Sequence, residues 1–210
     1  METIAFLGSA VGLGLTSGIR LYATVLAIGL SIRFGLFHPY PGLQHLAVLA
    51  SPYVLVPAGI AFLMEFLADK IAWVDSVWDL FHTFIRPVGA AMLGAAVIGD
   101  VEPRTKIAIM LLCGGVAFTS HSVKAGTRLL VNHSPEPLSN IGVSLVEDGL
   151  AAFGAWLAIR HPLAALGLAA AFLALFAWLA PKVFRKVRNA LRAVAAWFRP
   201  AATSGIAPPA

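Results

Sequence analysis

Charge is what this chain has least of. Its 210 residues hold 15 Lys and Arg and 10 Asp and Glu, together 12% of the sequence, where an average soluble domain carries about 25%. Cysteine is scarcer still. Cys113 stands alone inside an apolar run, which excludes an intrachain disulfide and a cysteine-rich metal site and leaves a small core residue. Gly-x-Ser-x-Gly, His-Glu-x-x-His and a phosphate-binding loop are all missing, so the common hydrolase and nucleotide signatures are too. The amino terminus has no basic run ahead of its first apolar stretch and no small-residue cleavage site after it. That stretch is therefore expected to stay in the mature protein.

What the chain does have is apolar surface: 59% of its residues are hydrophobic. A transmembrane helix takes about 20 mostly apolar residues, because each residue advances 1.5 Å through a hydrocarbon core roughly 30 Å thick. Six segments of that kind can be drawn, from Ile4 to Phe34, His45 to Ile71, Ser76 to Ile98, Thr105 to Val131, Leu138 to Ile159 and Leu163 to Leu179. Breakers fall between them: His38-Pro39-Tyr40-Pro41-Gly42, Asp100-Val101-Glu102-Pro103, His133-Ser134-Pro135-Glu136-Pro137 and His161-Pro162. The fold class that follows is all-α, a polytopic transmembrane bundle of about six segments. Gly8, Gly12, Gly14 and Gly18 form two Gly-x-x-x-Gly pairs, which let helices approach where lipid offers no hydrophobic drive, so the first segment is expected at the centre.

The net charge of +5 is concentrated in the tail, in Lys182, Arg185, Lys186, Arg188, Arg192 and Arg199. Placed after the last apolar segment, these cations point to anionic lipid headgroups and not to nucleic acid. Phe184, Val187, Leu191, Val194 and Phe198 recur at three- and four-residue spacing, the pattern of an amphipathic helix in the headgroup layer. The domain plan is thus a transmembrane domain over residues 1–181, a basic juxtamembrane helix over 182–200 and a disordered tail over 201–210. Six crossings with a basic tail place both termini in the cytoplasm of a bacterial inner membrane. A homo-oligomer is compatible with this plan, and no cofactor is called for.

Two stretches resemble each other, Gly12-Leu-Gly-Leu-Thr-Ser17 and Gly115-Val-Ala-Phe-Thr-Ser120. Each is followed by cations, Arg20 in one case and Lys124 and Arg128 in the other, and each leads to a segment carrying acids, Glu65 and Asp69 or Glu147 and Asp148. Two copies of a three-segment unit would lie inverted in the membrane, with broken helices in corresponding places, as in many secondary transporters.

The charges inside the segments carry the functional argument, since each costs about 2.5 to 3.5 kcal/mol on insertion scales and tends to find a partner and a use. Asp75, Asp79, His82 and Arg86 share one helix face by steps of four, seven and eleven, and His121, Lys124 and Arg128 share another. Glu65, Asp69, Asp75 and Asp79 are placed to neutralise Arg20, Arg86, Lys124 and Arg128 across helix contacts. An anionic or zwitterionic ligand would be met by Arg20, Arg86, Lys124, Arg128 and Asn140, with Glu65, Asp69, Asp75, Asp79, His82, Glu147 and Asp148 as counter-ions or proton carriers. Asp79 and His82, at a three-residue step, form half of a possible metal site if other helices lend acids.

Val123-Lys-Ala-Gly-Thr-Arg128, Asn132-His-Ser-Pro-Glu-Pro137 and Ser144-Leu-Val-Glu-Asp148 resemble the signature of the domain of unknown function 4126 family of small bacterial membrane proteins. Gly14-Leu-Thr-Ser-Gly-Ile-Arg20, Ala68-Asp-Lys-Ile-Ala-Trp-Val-Asp-Ser-Val-Trp-Asp79 and His82-Thr-Phe-Ile-Arg-Pro87 are similar to its other motifs, and the likeness runs from about residue 5 to 180. The resemblance implies a multi-helix membrane domain and carries over no catalytic residue. A small transporter or channel-like protein for an anionic or zwitterionic solute or lipid headgroup is the leading expectation. The alternatives are a membrane-embedded, metal-dependent enzyme and a non-catalytic scaffold.

Overall fold

The computed structural model describes residues 2–36, 43–131 and 137–197. The breaker at 38–42, residues 133–136 of the one at 133–137, and the tail at 201–210 with its expected disorder lie outside the described residues. Within them the chain is helical: α1 (Glu2–Arg33), a 3-10 helix (Gln44–Ala50), α2 (Pro52–Ala68), α3 (Ala72–Ile98), α4 (Pro103–Val131), α5 (Pro137–Arg160) and α6 (Pro162–Trp197). Proline opens α2, α4, α5 and α6, where its missing N–H would have had no partner anyway and its fixed φ suits the first helical position. The Ser51 hydroxyl accepts from the Tyr53 N–H at 3.3 Å and caps α2. Gly99 ends α3 with φ +63, and a Cβ there would collide with the His45 ring.

Five helices are long and apolar enough to cross a membrane, and the 3-10 helix with α2 forms a further pair bent by 61°. The chain is therefore a multi-pass helical membrane protein. As expected from its glycines, α1 is central: 78% of its apolar window is buried, against 33% for α3 and 28% for α4 and α5. Gly8 packs on the Pro162 carbonyl, and a Cβ on Gly12 would stand 2.9 Å from both Ala158 and Ala165.

The first segment departs from a simple span. Arg20 is non-helical (φ −148, ψ 89) and divides α1 into residues 2–19 and 21–33. The first half runs antiparallel to α5, since the Ser9 hydroxyl reaches the Ala158 carbonyl and Thr16 packs on Gly154. The second half turns back along the same stretch, where Ala27, Ile28 and Ser31 share a cavity of about 300 Å³ with Ala152, Trp156 and Arg160. Both ends of α1 thus lie beside one end of α5, and Arg20 is the apex of a helical hairpin. Six straight crossings would put residue 8 and residue 162 on opposite faces, yet they touch. The parity that placed both termini on the cytoplasmic side therefore does not hold over residues 2–173.

The break expected in the fourth segment is not seen, because α4 runs unbroken from Pro103 to Val131. Beyond Phe118, Ser120, His121, Lys124 and Arg128 are buried, while Thr119, Ser122 and Thr127 bond carbonyls of their own helix one turn back, so the backbone has no reason to open.

The chain divides into two compact units, Met1–Leu173 and Ala174–Ala210. In the second, the residues expected to form a separate basic helix from 182 are the continuation of α6, which includes Pro181 and runs to Trp197. Val183, Phe184, Val187 and Leu191 are exposed, and the Lys182 ammonium sits 3.0 Å from the centre of the Trp178 ring.

Candidate functional site: an ion network at the break in α1

Interrupting a helix strips the last carbonyls of one half of their intrahelical partners, and lipid offers none in exchange. Here other helices supply them. Arg86 Nη1 of α3 donates to the Gly18 carbonyl at 3.0 Å, and the Ser120 hydroxyl of α4 donates to the Leu15 carbonyl at 2.9 Å. On the far side of the break the Thr24 hydroxyl donates to the Arg20 carbonyl at 2.8 Å.

The side chain at the apex is the hub. Arg20 is fully buried and meets carboxylates from three places in the chain. Its Nη1 lies 3.3 Å from Glu65 of α2, its Nη2 pairs with Asp69 just beyond α2 and lies 3.1 Å from Glu147 of α5, and its Nε lies 3.1 Å from Asp148. Ser144, one turn before Glu147, accepts from Arg20 Nη2 and donates to Asp69, at 2.7 Å each. Arg128 grips Glu147 with two bonds, at 3.0 and 2.9 Å, and reaches Asp69 at 3.2 Å. The two-point fork is the geometry that suits a guanidinium to a carboxylate. Lys124 lies 3.3, 3.4 and 3.7 Å from Glu65, Asp79 and Glu147, and Arg86 pairs with Glu65 and stands 3.5 Å from Asp79.

Nine of the twelve residues singled out from the sequence thus form one connected network. Four cations (Arg20, Arg86, Lys124, Arg128) meet five carboxylates (Glu65, Asp69, Asp79, Glu147, Asp148). The cations are all engaged by carboxylates, so the expectation that they receive a free anion must contend with a site whose balance is negative.

The family is shown by a direct match. Residues 7–182 match the family model described as domain of unknown function, DUF4126. The chain belongs to the DUF4126 family. No curated protein matches the chain, and neither does any solved structure.

The other three expected residues of this DUF4126 protein take different places. His82 lies in an aromatic pocket, stacked on Trp78 at 4.6 Å, with Nδ1 2.8 Å from the Trp78 carbonyl and Nε2 3.0 Å from the Tyr22 hydroxyl. Both ring nitrogens are occupied, which removes His82 as half of a metal pair with Asp79. Among the described residues no three His, Cys, Asp or Glu converge to hold a metal ion. Asn140 contributes its backbone carbonyl, 3.5 Å from Arg128, while its side-chain oxygen is buried without a hydrogen-bond partner. Asp75 is buried in the first turn of α3.

His121 is bound more tightly into the network than its sequence position suggests. Its Nδ1 faces Arg86 Nη1 at 2.8 Å, a guanidinium that can only donate, so Nδ1 accepts and Nε2 carries the hydrogen toward the Asp79 carbonyl at 3.0 Å. Ser144 and Tyr22 are functional neighbours that charge reasoning passes over. Ser144 is recoverable from its spacing, three and four residues before Glu147 and Asp148; nothing local marks Tyr22.

An open groove of about 510 Å³ reaches the network from the side between α4 and α5 of the DUF4126 bundle. Its walls are apolar, with Val123, Val143, Val146 and Phe172, and its charged residues are Lys124 and Glu147. A Cβ on Gly142 would meet nothing within 4 Å, so that glycine leaves the groove open.

Proposed function

We propose that this membrane protein binds the headgroup of a zwitterionic lipid in the lateral groove and passes it along the buried network, as a small lipid transporter would. The observation that carries the reading is the groove itself, an apolar-walled slot ending on Lys124 and Glu147, 3.7 Å apart. Acyl chains suit such walls, and a headgroup with one ammonium and one phosphate exchanges partners with a Lys–Glu pair without leaving either ion unpaired. A purely anionic solute would instead meet an excess of carboxylates.

The expected inverted repeat gains no support: Gly14 packs on Cys113 and Gly18 on Ala117, so the first half of α1 and α4 run in the same direction, and the break at Arg20 has no counterpart in α4. The basic residues after 181 support a bacterial inner membrane location with that stretch at the cytoplasmic face, against anionic headgroups. The scaffold alternative draws on one observation, that each cation of the network is already paired.

Native mass spectrometry of the detergent-solubilised protein with phosphatidylethanolamine or phosphatidylglycerol tests the reading. The wild type is expected to retain phosphatidylethanolamine preferentially. Gly142→Leu, which fills the groove and leaves the ions untouched, is expected to lower that retention about tenfold, or ~1.4 kcal/mol. Equal retention of both lipids, or a Gly142→Leu protein that binds as the wild type does, would sink the proposal.

A further inference from the structure

We infer that Asp148 is the proton-carrying group of the network, binding and releasing a proton as the site works. The inference rests on reading the network as a functional site, but not on the identity of the lipid. Arg20 carries one charge and faces four carboxylates, Glu65, Asp69, Glu147 and Asp148. Their other cations divide them sharply. Glu65 also has Arg86 and Lys124, Asp69 has Arg128, and Glu147 has Lys124 and Arg128. Among the described residues, Asp148 pairs with the Nε of Arg20 alone, 3.1 Å away. The groups facing it are Arg20 from α1, Glu65 from α2, Asp69 from the turn beyond α2 and Glu147 from its own helix, so three of its four charged neighbours repel its ionised form.

Access separates Asp148 in the same direction. Its side chain is 18% exposed, while those of Glu65, Asp69, Asp79 and Glu147 are 0%, 1%, 6% and 9% exposed. A proton from outside reaches Asp148 more readily than any other acid of the network.

A second observation comes from the count of charges. Among the described residues Glu65 Oε2, Asp69 Oδ1 and Asp148 Oδ1 make no hydrogen bond, and neither do Arg20 Nε and Nη1 or Arg86 Nε, so these groups are held by charge and not by hydrogen-bond geometry. A proton on Asp148 relieves the acid that shares Arg20 with three others. The same proton brings five carboxylates and four cations into balance, which a low-dielectric interior favours strongly.

Infrared difference spectra between acidic and alkaline buffer, recorded in nanodiscs, test the assignment. Wild-type protein is expected to show a protonated-carboxyl C=O band that shifts on incorporation of isotope-labelled aspartate and is absent in Asp148→Asn. A wild type with no such band, a band insensitive to labelled aspartate, or one that persists in Asp148→Asn would overturn it. If Asp148→Asn does not fold, Asp148→Glu keeps the test decisive: the band should then lose its sensitivity to labelled aspartate, and one that stays sensitive would overturn the assignment. Failure of the groove reading shows separately: protein that gives the aspartate band but retains no phosphatidylethanolamine loses the lipid proposal and keeps this one.

Discussion

Helix α1 meets α5 in two ways within three turns. Near its start the contact is made of Gly8, Gly12, Ala158 and one hydroxyl, Ser9 donating to the Ala158 carbonyl at 2.7 Å. At Arg20 the same two helices meet through a guanidinium, two carboxylates and Ser144. The first contact is close packing, which in lipid must supply the association that the hydrophobic effect supplies in water. The second is a set of charges that are stable only together. A glycine seam tolerates nothing larger and an ion network tolerates nothing missing, so the two ends of one interface should fail in opposite ways.

The largest effect is expected at the charged end. Arg20→Met leaves four carboxylates facing one another around an apolar side chain, and breaking a buried pair by removing one partner costs roughly 3 to 5 kcal/mol. Size-exclusion chromatography of the solubilised variant should show loss of the monodisperse peak. A variant as stable as the wild type would mean that the network is dispensable for folding, which would weaken the scaffold reading.

This division also governs how much of the molecule was legible. Segment positions, the centrality of α1 and the pairing of acids with cations follow from local signals: runs of apolar residues, glycines at a spacing of four, charges on one helix face. The reversal at Arg20 does not, because hydropathy has no direction and a long apolar window reads alike whether it crosses once or doubles back. A break in the first segment was expected, and Gly18 lies two residues before it, but nothing local says that the chain reverses there. The reversal is held by Arg86 and Ser120 from helices distant in sequence, and a reversal sustained by tertiary contacts leaves no local trace. The expected break in α4 fails for a related reason: its polar residues read as an interruption, when the charged ones and His121 form the inward face of a continuous helix and its threonines bond back to that helix. A hydrogen-bonded, non-ligand His82 was legible from the sequence, but its partners were not, since Tyr22, at 3.0 Å, lies on another helix.

A smaller effect is expected at the glycine seam. Gly12→Leu forces a branched side chain into a contact where a Cβ alone would already be 2.9 Å from Ala158 and Ala165. Overpacking of this kind costs about 1 to 3 kcal/mol, so the variant should fold but unfold at lower temperature or denaturant concentration. An unchanged midpoint would show that α1 and α5 can separate there without penalty, and the seam would lose its claim to hold the hairpin in place.

The smallest effect sharpens the comparison most. Ser9→Ala removes the one α1–α5 hydrogen bond noted at the packed end and leaves the Ala158 carbonyl in the last turn of α5, where the residue four on is Pro162 and has no N–H to offer. Interhelical bonds in membrane proteins average about 0.6 kcal/mol, and the stranded carbonyl adds to that, so thermal unfolding in detergent should fall by a few degrees. Ser144→Ala is the matched change at the other end of the interface, and there the hydroxyl bridges Arg20 to Asp69. If the two ends differ as charge and packing should, Ser144→Ala costs more than Ser9→Ala, because hydrogen bonds to charged groups are worth about 1.5 to 3 kcal/mol. Equal losses would mean that the ions at Arg20 add nothing to the hydroxyl between them, and that the interface is held by close contact along its whole length.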